Sequence, residues 1–201
     1  MKTRTLRAEP EDVSPRRRLI DTATRLFYAE GIRAVGIDRI IAEAAIAKAT
    51  FYNHFPSKDD LVLAYIEEQD RIGRDAVAAF PRQAPRKMIA AIVGRISTAA
   101  AAGDFRGCPF LNAAAEYSDP NSPVRRAIDA RRTWYQGVLH RLLVEDGDPA
   151  PSVTASLLVA LSDGLLEIAY HDDAKVVPSL LREGLARLLT HGCPAARRSC
   201  R

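Results

Sequence analysis

The sequence predicts an all-α protein of about nine helices. Apolar residues recur three and four positions apart through most of the chain, the spacing that gathers them on one side of a helix. Ser-Pro pairs at 14–15 and 122–123 mark helix starts, serine as N-cap and proline in the first turn, where its missing N–H is no loss. No segment alternates with the period of a strand, and no internal repeat is present.

Residues 1–13 are polar and contain Lys2, Arg4, Arg7 and Pro10, so a disordered basic arm is expected, of a kind able to reach a DNA minor groove. The first helix follows from Ser14-Pro15, with Leu19, Ile20, Ala23, Leu26 and Phe27 on its inner side and a stop near Gly31. Arg16, Arg17 and Arg18 cluster at its start, where free N–H groups and the helix dipole favour an anion; Thr22 and Arg25 lie on its outer side.

Ile37, Ile40, Ile41 and Ala44 form the apolar stripe of a second, short helix. Ala45-Ile46-Ala47 interrupts it, and a third helix runs from Lys48 to about His54. Two short helices joined by a three- or four-residue turn with an apolar middle residue make a helix-turn-helix. Ile46 fills the angle, and Phe51 and Phe55 pack inward. Lys48, Thr50, Tyr52, Asn53 and His54 then point outward, a face rich in donors on a helix with no acid. Such a face suits phosphate oxygens and base edges in a major groove. The competing reading is a solvated polar face, for which two aromatics and a histidine within four residues are unusual.

The run Ala47-Lys-Ala-Thr-Phe-Tyr-Asn-His-Phe-Pro-Ser-Lys-Asp-Asp-Leu61 resembles the signature of the TetR family of one-component transcriptional regulators, and the similarity extends over residues 16–63. The resemblance implies a helix-turn-helix DNA-binding domain at 14–56, a helical regulatory and dimerisation domain at 57–192 and a tail at 193–201. It sets Arg16, Arg17, Thr22, Gly36, Ile37, Lys48, Ala49, Thr50, Tyr52, Asn53, His54 and Lys58 at the DNA. Lys48, Tyr52 and His54 are the expected phosphate contacts, Thr50 and Asn53 the base contacts. Asn53 has an amide able to pair with adenine. Two positions depart from the family pattern. Ala45 stands where glycine is common, and a left-handed backbone there would cost on the order of 1 kcal/mol. Ala47 replaces the usual Ser or Thr cap of the third helix, a cap worth about 1 kcal/mol.

Ser57 and Asp60 form a variant capping box for a helix reaching about Ala79, and Pro81 and Pro85 break it. The resemblance makes this helix the link between DNA-binding and regulatory regions. Helices are expected at 86–102, with Met88, Ile89, Ile92, Val93 and Ile96 inward, from Pro109 to about Glu116, and at 124–144. The last two, 152–170 and 177–191, carry leucines on more than one side, so one side faces the core and another needs a partner. In the family these helices form a four-helix bundle across a two-fold axis, which assigns Leu157, Leu161, Leu165, Leu181, Leu185 and Leu188 to a homodimer interface. Gly164 and Gly184 would permit close helix approach.

Ligand sites in helical bundles lie between helices. The candidates by residue type are Cys108, Phe110, Asn112, Glu116, Tyr117, Trp134, Tyr135, Asp163, Glu167 and Tyr170, with core packing as the competing role for each aromatic. Cys108 stands at a helix start, where the dipole and nearby Arg106 would lower its thiol pKa and suit it to sense oxidants or electrophiles. The plainer alternative is a small apolar residue in a pocket wall.

Several classes are excluded. At 201 residues, 47% hydrophobic and 27% charged, with a net charge of +4, the chain reads as a soluble protein with a substantial core. Lys and Arg outnumber Asp and Glu in residues 1–55, as a phosphate-facing module requires. No window is read as a membrane span and the N-terminus has no apolar signal core, so a cytoplasmic protein is expected. Cys108, Cys193 and Cys200 show neither disulfide nor metal spacing. His54, His140, His171 and His191 belong to no catalytic motif, and no phosphate loop or nucleophile elbow is present. No catalytic residue, metal or cofactor is therefore expected. The functional expectation is a ligand-responsive regulator, a repressor by resemblance, binding a palindromic double-stranded operator as a homodimer and released by an unidentified small molecule. The alternatives are a thiol-based redox or electrophile sensor using Cys108, and a helical adaptor that has lost DNA binding.

Overall fold

Every described element is helical in the computed structural model, which describes residues 14–190. The expected arm at 1–13, the tail at 193–201 with Cys193 and Cys200, and His191 lie outside the described residues. The order is α1 (Pro15–Glu30), α2 (Ile37–Ala44), α3 (Lys48–His54), α4 (Lys58–Ala78), α5 (Pro85–Ala100), α6 (Pro109–Glu116), α7 (Pro123–Glu145), α8 (Pro151–His171), a 3-10 turn (Ala174–Val176) and α9 (Val177–Leu188). Two compact units divide within α4, between Tyr65 and Ile66.

In the first unit α1 packs on both α2 and α3. Its start is as expected: the Ser14 hydroxyl accepts from the Arg17 N–H at 3.3 Å, and Pro15 occupies the first turn. Gly31, at φ 91°, ends it. Leu19, Ala23 and Leu26 of α1, Ile40 of α2 and Phe51 of α3 are fully enclosed, with Phe27 edge-on to Tyr65 at 5.7 Å.

The α2–α3 turn explains how alanine replaces glycine. Ala45 is left-handed at φ 50°, ψ 50°, the one non-glycine residue with positive φ among those described. Its N–H bonds Ala42 O at 3.2 Å and the Ile46 N–H bonds Ile41 O at 3.1 Å, the paired bonds of a Schellman ending. Arg18 adds to it, donating from Nη2 to Ala44 O at 2.6 Å and Ala45 O at 3.0 Å. Those carbonyls have no helical partner, so the guanidinium offsets part of the backbone strain. Ala45→Gly is expected to raise stability by about 0.5–1 kcal/mol by removing the Cβ clash, read as a higher thermal midpoint. An unchanged or lower midpoint would mean that the turn is not strained.

The cap of α4 is reciprocal, as read from sequence. The Ser57 N–H donates to Asp60 Oδ2 at 2.9 Å and the Asp60 N–H to Ser57 Oγ at 3.2 Å. Ala47, at the start of α3, makes no side-chain cap.

In the second unit α5 packs against α7, α8 and α9, and α8 lies between α7 and α9. Ile89, Ile92, Val93, Leu139, Leu143, Leu158, Leu165 and Leu181 form the core. Pro85 opens α5 rather than breaking the chain before it, and α9 ends at Leu188, short of the expected 191. Two of the expected dimer residues are corrected here: Leu165 and Leu181 are buried within their own protomer, because they share the inward side of their helices with Leu158 and Val177. Leu161, Leu185 and Leu188 are half-buried against the same core, and Leu157 is exposed. Gly184 does permit close approach, but within the chain: a Cβ there would lie 2.8 Å from Leu161 Cδ2. Nothing lies within 4 Å of the corresponding point on Gly164.

One exclusion also needs correcting. By length and composition alone α8 is apolar enough to cross a membrane, with mean hydropathy 1.5 over its best window. Ala155, Leu158, Val159, Leu165 and Ala169 use that apolar character inside the core of this unit.

Candidate functional site

Phe51 is fully buried and holds α3 by one side, with Phe55 at 6.1 Å and the Tyr52 ring edge-on at 5.2 Å. The opposite side exposes Lys48, Ala49, Tyr52, Asn53 and His54, while Thr50 is half-buried. Gly36 is exposed and Ile37 half-buried at the start of α2. The expected donor face is thus assembled, with one addition. Asp38 of α2 accepts from Lys48 Nζ at 3.0 Å, and this hydrogen bond raises the ammonium pKa. The acid-free reading holds for α3 but not for its surroundings. Both side chains are solvated, so the pair is easily exchanged for a phosphate contact. Asp38→Asn is expected to raise DNA affinity about threefold at low salt and less at high salt, as removal of an exposed like charge should. Equal affinities in a binding titration would count against Lys48 as a phosphate contact.

The other cations separate. Arg16 lies over the Phe55 ring at 5.3 Å, and Arg17 pairs with Asp21 at 2.7 Å one turn along α1; Thr22 is half-buried. Arg18 serves the α2–α3 turn, and Arg25 is paired with Glu43 of α2. Lys58, another expected DNA contact, has its Nζ donating to Ile32 O at 2.6 Å and lying 5.9 Å from the centre of the Phe27 ring. A loop carbonyl away from water requires a donor, and the lysine at the start of α4 supplies it.

The second unit contains a cavity of about 490 Å³. Four predicted ligand residues line it: Cys108, Phe110, Tyr135 and Asp163. The other six do not. Asn112 is exposed and donates to Arg106 O at 2.8 Å, holding the loop before α6. Glu116 and Tyr117 are half-buried away from the lining. Trp134 is stacked by Arg74 and Arg131, each 4.6 Å from its ring centre. Glu167 faces His171 at 3.3 Å on the exposed side of α8, and Tyr170 is exposed beneath Arg106.

Sequence reasoning missed the arginines of α7. Arg125, Arg131 and Arg132 all line the cavity, with Arg95, Asp129 and Ser162. The signal was present: Ile128, Arg131 and Tyr135 follow at helical spacing, so Arg131 shares a side with two inward residues. Arg125 pairs with Asp129 at 3.0 Å and Arg132 with Asp163 at 2.8 Å. Tyr135 Oη and Ser162 Oγ are 3.1 Å apart, and Ser162 also donates to Leu158 O. Burial pushes the Tyr135 hydroxyl pKa up. The Arg131 guanidinium is mostly enclosed, and burial lowers its pKa.

A helix-turn-helix with an exposed donor face is thus joined in one chain to a helical unit with an internal cavity. The family profile "Bacterial regulatory proteins, tetR family" matches residues 19–65. The crystal structure of a TetR-family transcriptional regulator from Streptomyces coelicolor is 42% identical, covers 88% of this chain and 94% of its own, and superposes with a TM-score of 0.84. The chain belongs to the TetR family. It is a DNA-binding transcriptional regulator. Among curated relatives of this TetR-family chain, the HTH-type transcriptional regulator LmrA of Bacillus subtilis is 30% identical over 124 residues, covering 59% of this chain and 66% of that one. A putative TetR transcriptional regulator from Streptomyces avermitilis, 26% identical, covers 85% of this chain and 98% of its own with a TM-score of 0.74.

The thiol of this TetR-family chain is not activated as its position at a helix start suggested. Burial raises the Cys108 pKa. The N–H groups of Leu111 and Phe110, and the Arg131 charge, oppose that shift without reversing it. The Arg106 guanidinium lies over Tyr170, 5.4 Å from the ring centre, and the arginine that acts on the thiol is Arg131. A reactive thiol needs a setting that favours the thiolate, and at Cys108, half-buried in the cavity wall, burial outweighs the groups that would favour it.

Proposed function

We propose that this regulator is a repressor, binding a palindromic operator as a homodimer and leaving it when a small molecule occupies the cavity. The observation that carries the reading is the α3 face: Lys48, Tyr52, Asn53 and His54 stand in water on a helix anchored by Phe51. Lys48, Tyr52 and His54 contact phosphates and Thr50 and Asn53 contact bases, while Arg16, Arg17 and Thr22 of α1 support the docking. Residues 14–56 act as the DNA-binding domain and 57–192 as the regulatory one, in the cytoplasm with the DNA.

Two recognition helices must meet successive major grooves about 34 Å apart, which requires a dimer. An effector releases the operator by favouring a dimer in which that spacing is lost. To move the population from nearly all competent to nearly all incompetent it must prefer the second state by roughly 5.5 kcal/mol. Apolar side chains left exposed on α8 and α9 support the dimer: Val153, Leu157 and Leu180.

The test is a fluorescence-anisotropy titration against DNA from upstream of its own gene, across a range of salt. Saturable binding that survives non-specific competitor, with two protomers per site, supports the reading. Binding that disappears at physiological salt for this DNA and for genomic fragments alike would favour the adaptor alternative.

A further inference from the structure

We propose that the effector is a small monocarboxylic acid with an apolar body, its carboxylate paired with Arg131; this rests on the effector reading of the cavity above. Two of the lining arginines have lining carboxylates of their own: Arg125 has Asp129 at 3.0 Å, and Arg132 has Asp163 at 2.8 Å. Arg131 does not. Its Nε lies 3.2 Å from Asp70 Oδ1, but that carboxylate stands outside the lining and already accepts from Arg74 Nε at 2.8 Å. Two guanidiniums therefore share one acid.

Hydrogen bonding repeats the deficit. Arg131 Nε and Nη1 are buried without an acceptor and Asp70 Oδ1 without a donor, the contact between Nε and Oδ1 being close enough for attraction but not aligned as a hydrogen bond. Rings surround the cation instead: Phe110 and Tyr135 at 5.4 Å from their centres and Trp134 at 4.6 Å. Ring faces attract a cation, yet they do not replace the oxygens that a planar guanidinium is built to engage. A buried group left in this state is destabilising, and an apolar side chain of similar volume would serve packing better. The missing component is an anion that enters from the cavity.

The same lining limits what the anion carries. Asp129 and Asp163 are each neutralised by their own arginine, and Arg131 shares Asp70 with Arg74, so one unit of positive charge is left to match beside Arg131 and a single negative charge fits it. Ile92, Ile96, Val159 and Leu166 make the remaining wall apolar, so the body of the ligand is apolar, with Phe110 and Tyr135 available for stacking. About 490 Å³ is within the range for a small organic acid.

The test is isothermal titration of the full-length protein with benzoate, phenylacetate and 4-phenylbutanoate, each beside its primary amide. At least one acid is expected to bind about tenfold or more tightly than its amide, because only the acid supplies a charge-assisted hydrogen bond. Arg131→Met should bring the acid down to the amide and leave the amide unchanged; Arg131→Lys should restore part of the difference. The acid-against-amide comparison uses unaltered protein, so it stands even if the Met variant folds poorly. Amides that bind as tightly as acids would overturn the carboxylate inference and leave a neutral-effector regulator intact. Binding of neither kind would overturn both the inference and the effector role of the cavity.

Discussion

Tyr52→Ala is expected to reduce operator affinity by between about thirtyfold and twenty-five-thousandfold while leaving the thermal midpoint within about a degree. The size follows from one DNA contact worth about 1–3 kcal/mol, lost once in each protomer of a dimer, hence about 2–6 kcal/mol in all. The stability half follows from exposure. Tyr52 is 44% exposed and meets Phe51 only at a ring edge, so its removal opens no cavity. The neighbouring position behaves oppositely. Phe51 is fully enclosed, and Phe51→Ala should cost about 3–5 kcal/mol and unfold the DNA-binding unit. Anisotropy titration at one salt concentration, with circular-dichroism melts of both variants, separates the two effects. A Tyr52→Ala protein that binds with unchanged affinity would remove α3 from the DNA; one that melts early would show that the ring is structural.

The contrast between adjacent residues of α3 also shows which features a sequence carries. Local chemistry was readable. Ser14-Pro15, Ser57 with Asp60, and the apolar spacing in α1 and α2 each name their own structure, because the interactions they make span three or four residues. The left-handed Ala45 was legible as a condition, since a turn between two helices at that point requires a residue of that conformation.

What could not be read depends on partners distant in sequence. Arg18 and Lys58 look like free basic residues until Ala44 O and Ile32 O, each 26 positions away, are brought to them. The cavity is the larger case. Choosing its residues by type favoured aromatics, and Trp134 and Tyr170 turned out to be stacked under arginines rather than lining it. Arg131 is one of several charges along α7, and nothing local in the sequence reveals that α4, α6 and α7 close around it. Cys108 shows the competition of two local effects. Its position at a helix start lowers a thiol pKa, burial raises it, and only the fold decides how deep the thiol sits.

Leu157→Glu is expected to convert the proposed dimer to a monomer and to reduce operator binding to that of a single half-site. Val153 is 61% exposed and Leu157 48%, and with Ala160 and Gly164 they follow one side of α8 at steps of four, three and four residues. Large apolar side chains left in water along one stripe, with small residues continuing it, fit a second helix laid against them. A two-fold axis places each carboxylate introduced there opposite or beside its own copy, so both desolvation and repulsion are met twice. The loss is several kcal/mol, enough to dissociate a dimer at micromolar concentration. Leu165→Glu is the necessary comparison. Leu165 is enclosed in its own protomer, so that variant should lose its fold rather than its partner. Sedimentation equilibrium gives the mass and a circular-dichroism melt gives the fold. A Leu157→Glu protein that stays folded and dimeric would move the interface off this side of α8. A folded monomer that still binds the full operator as tightly as the parent would instead remove the need for two coupled recognition helices.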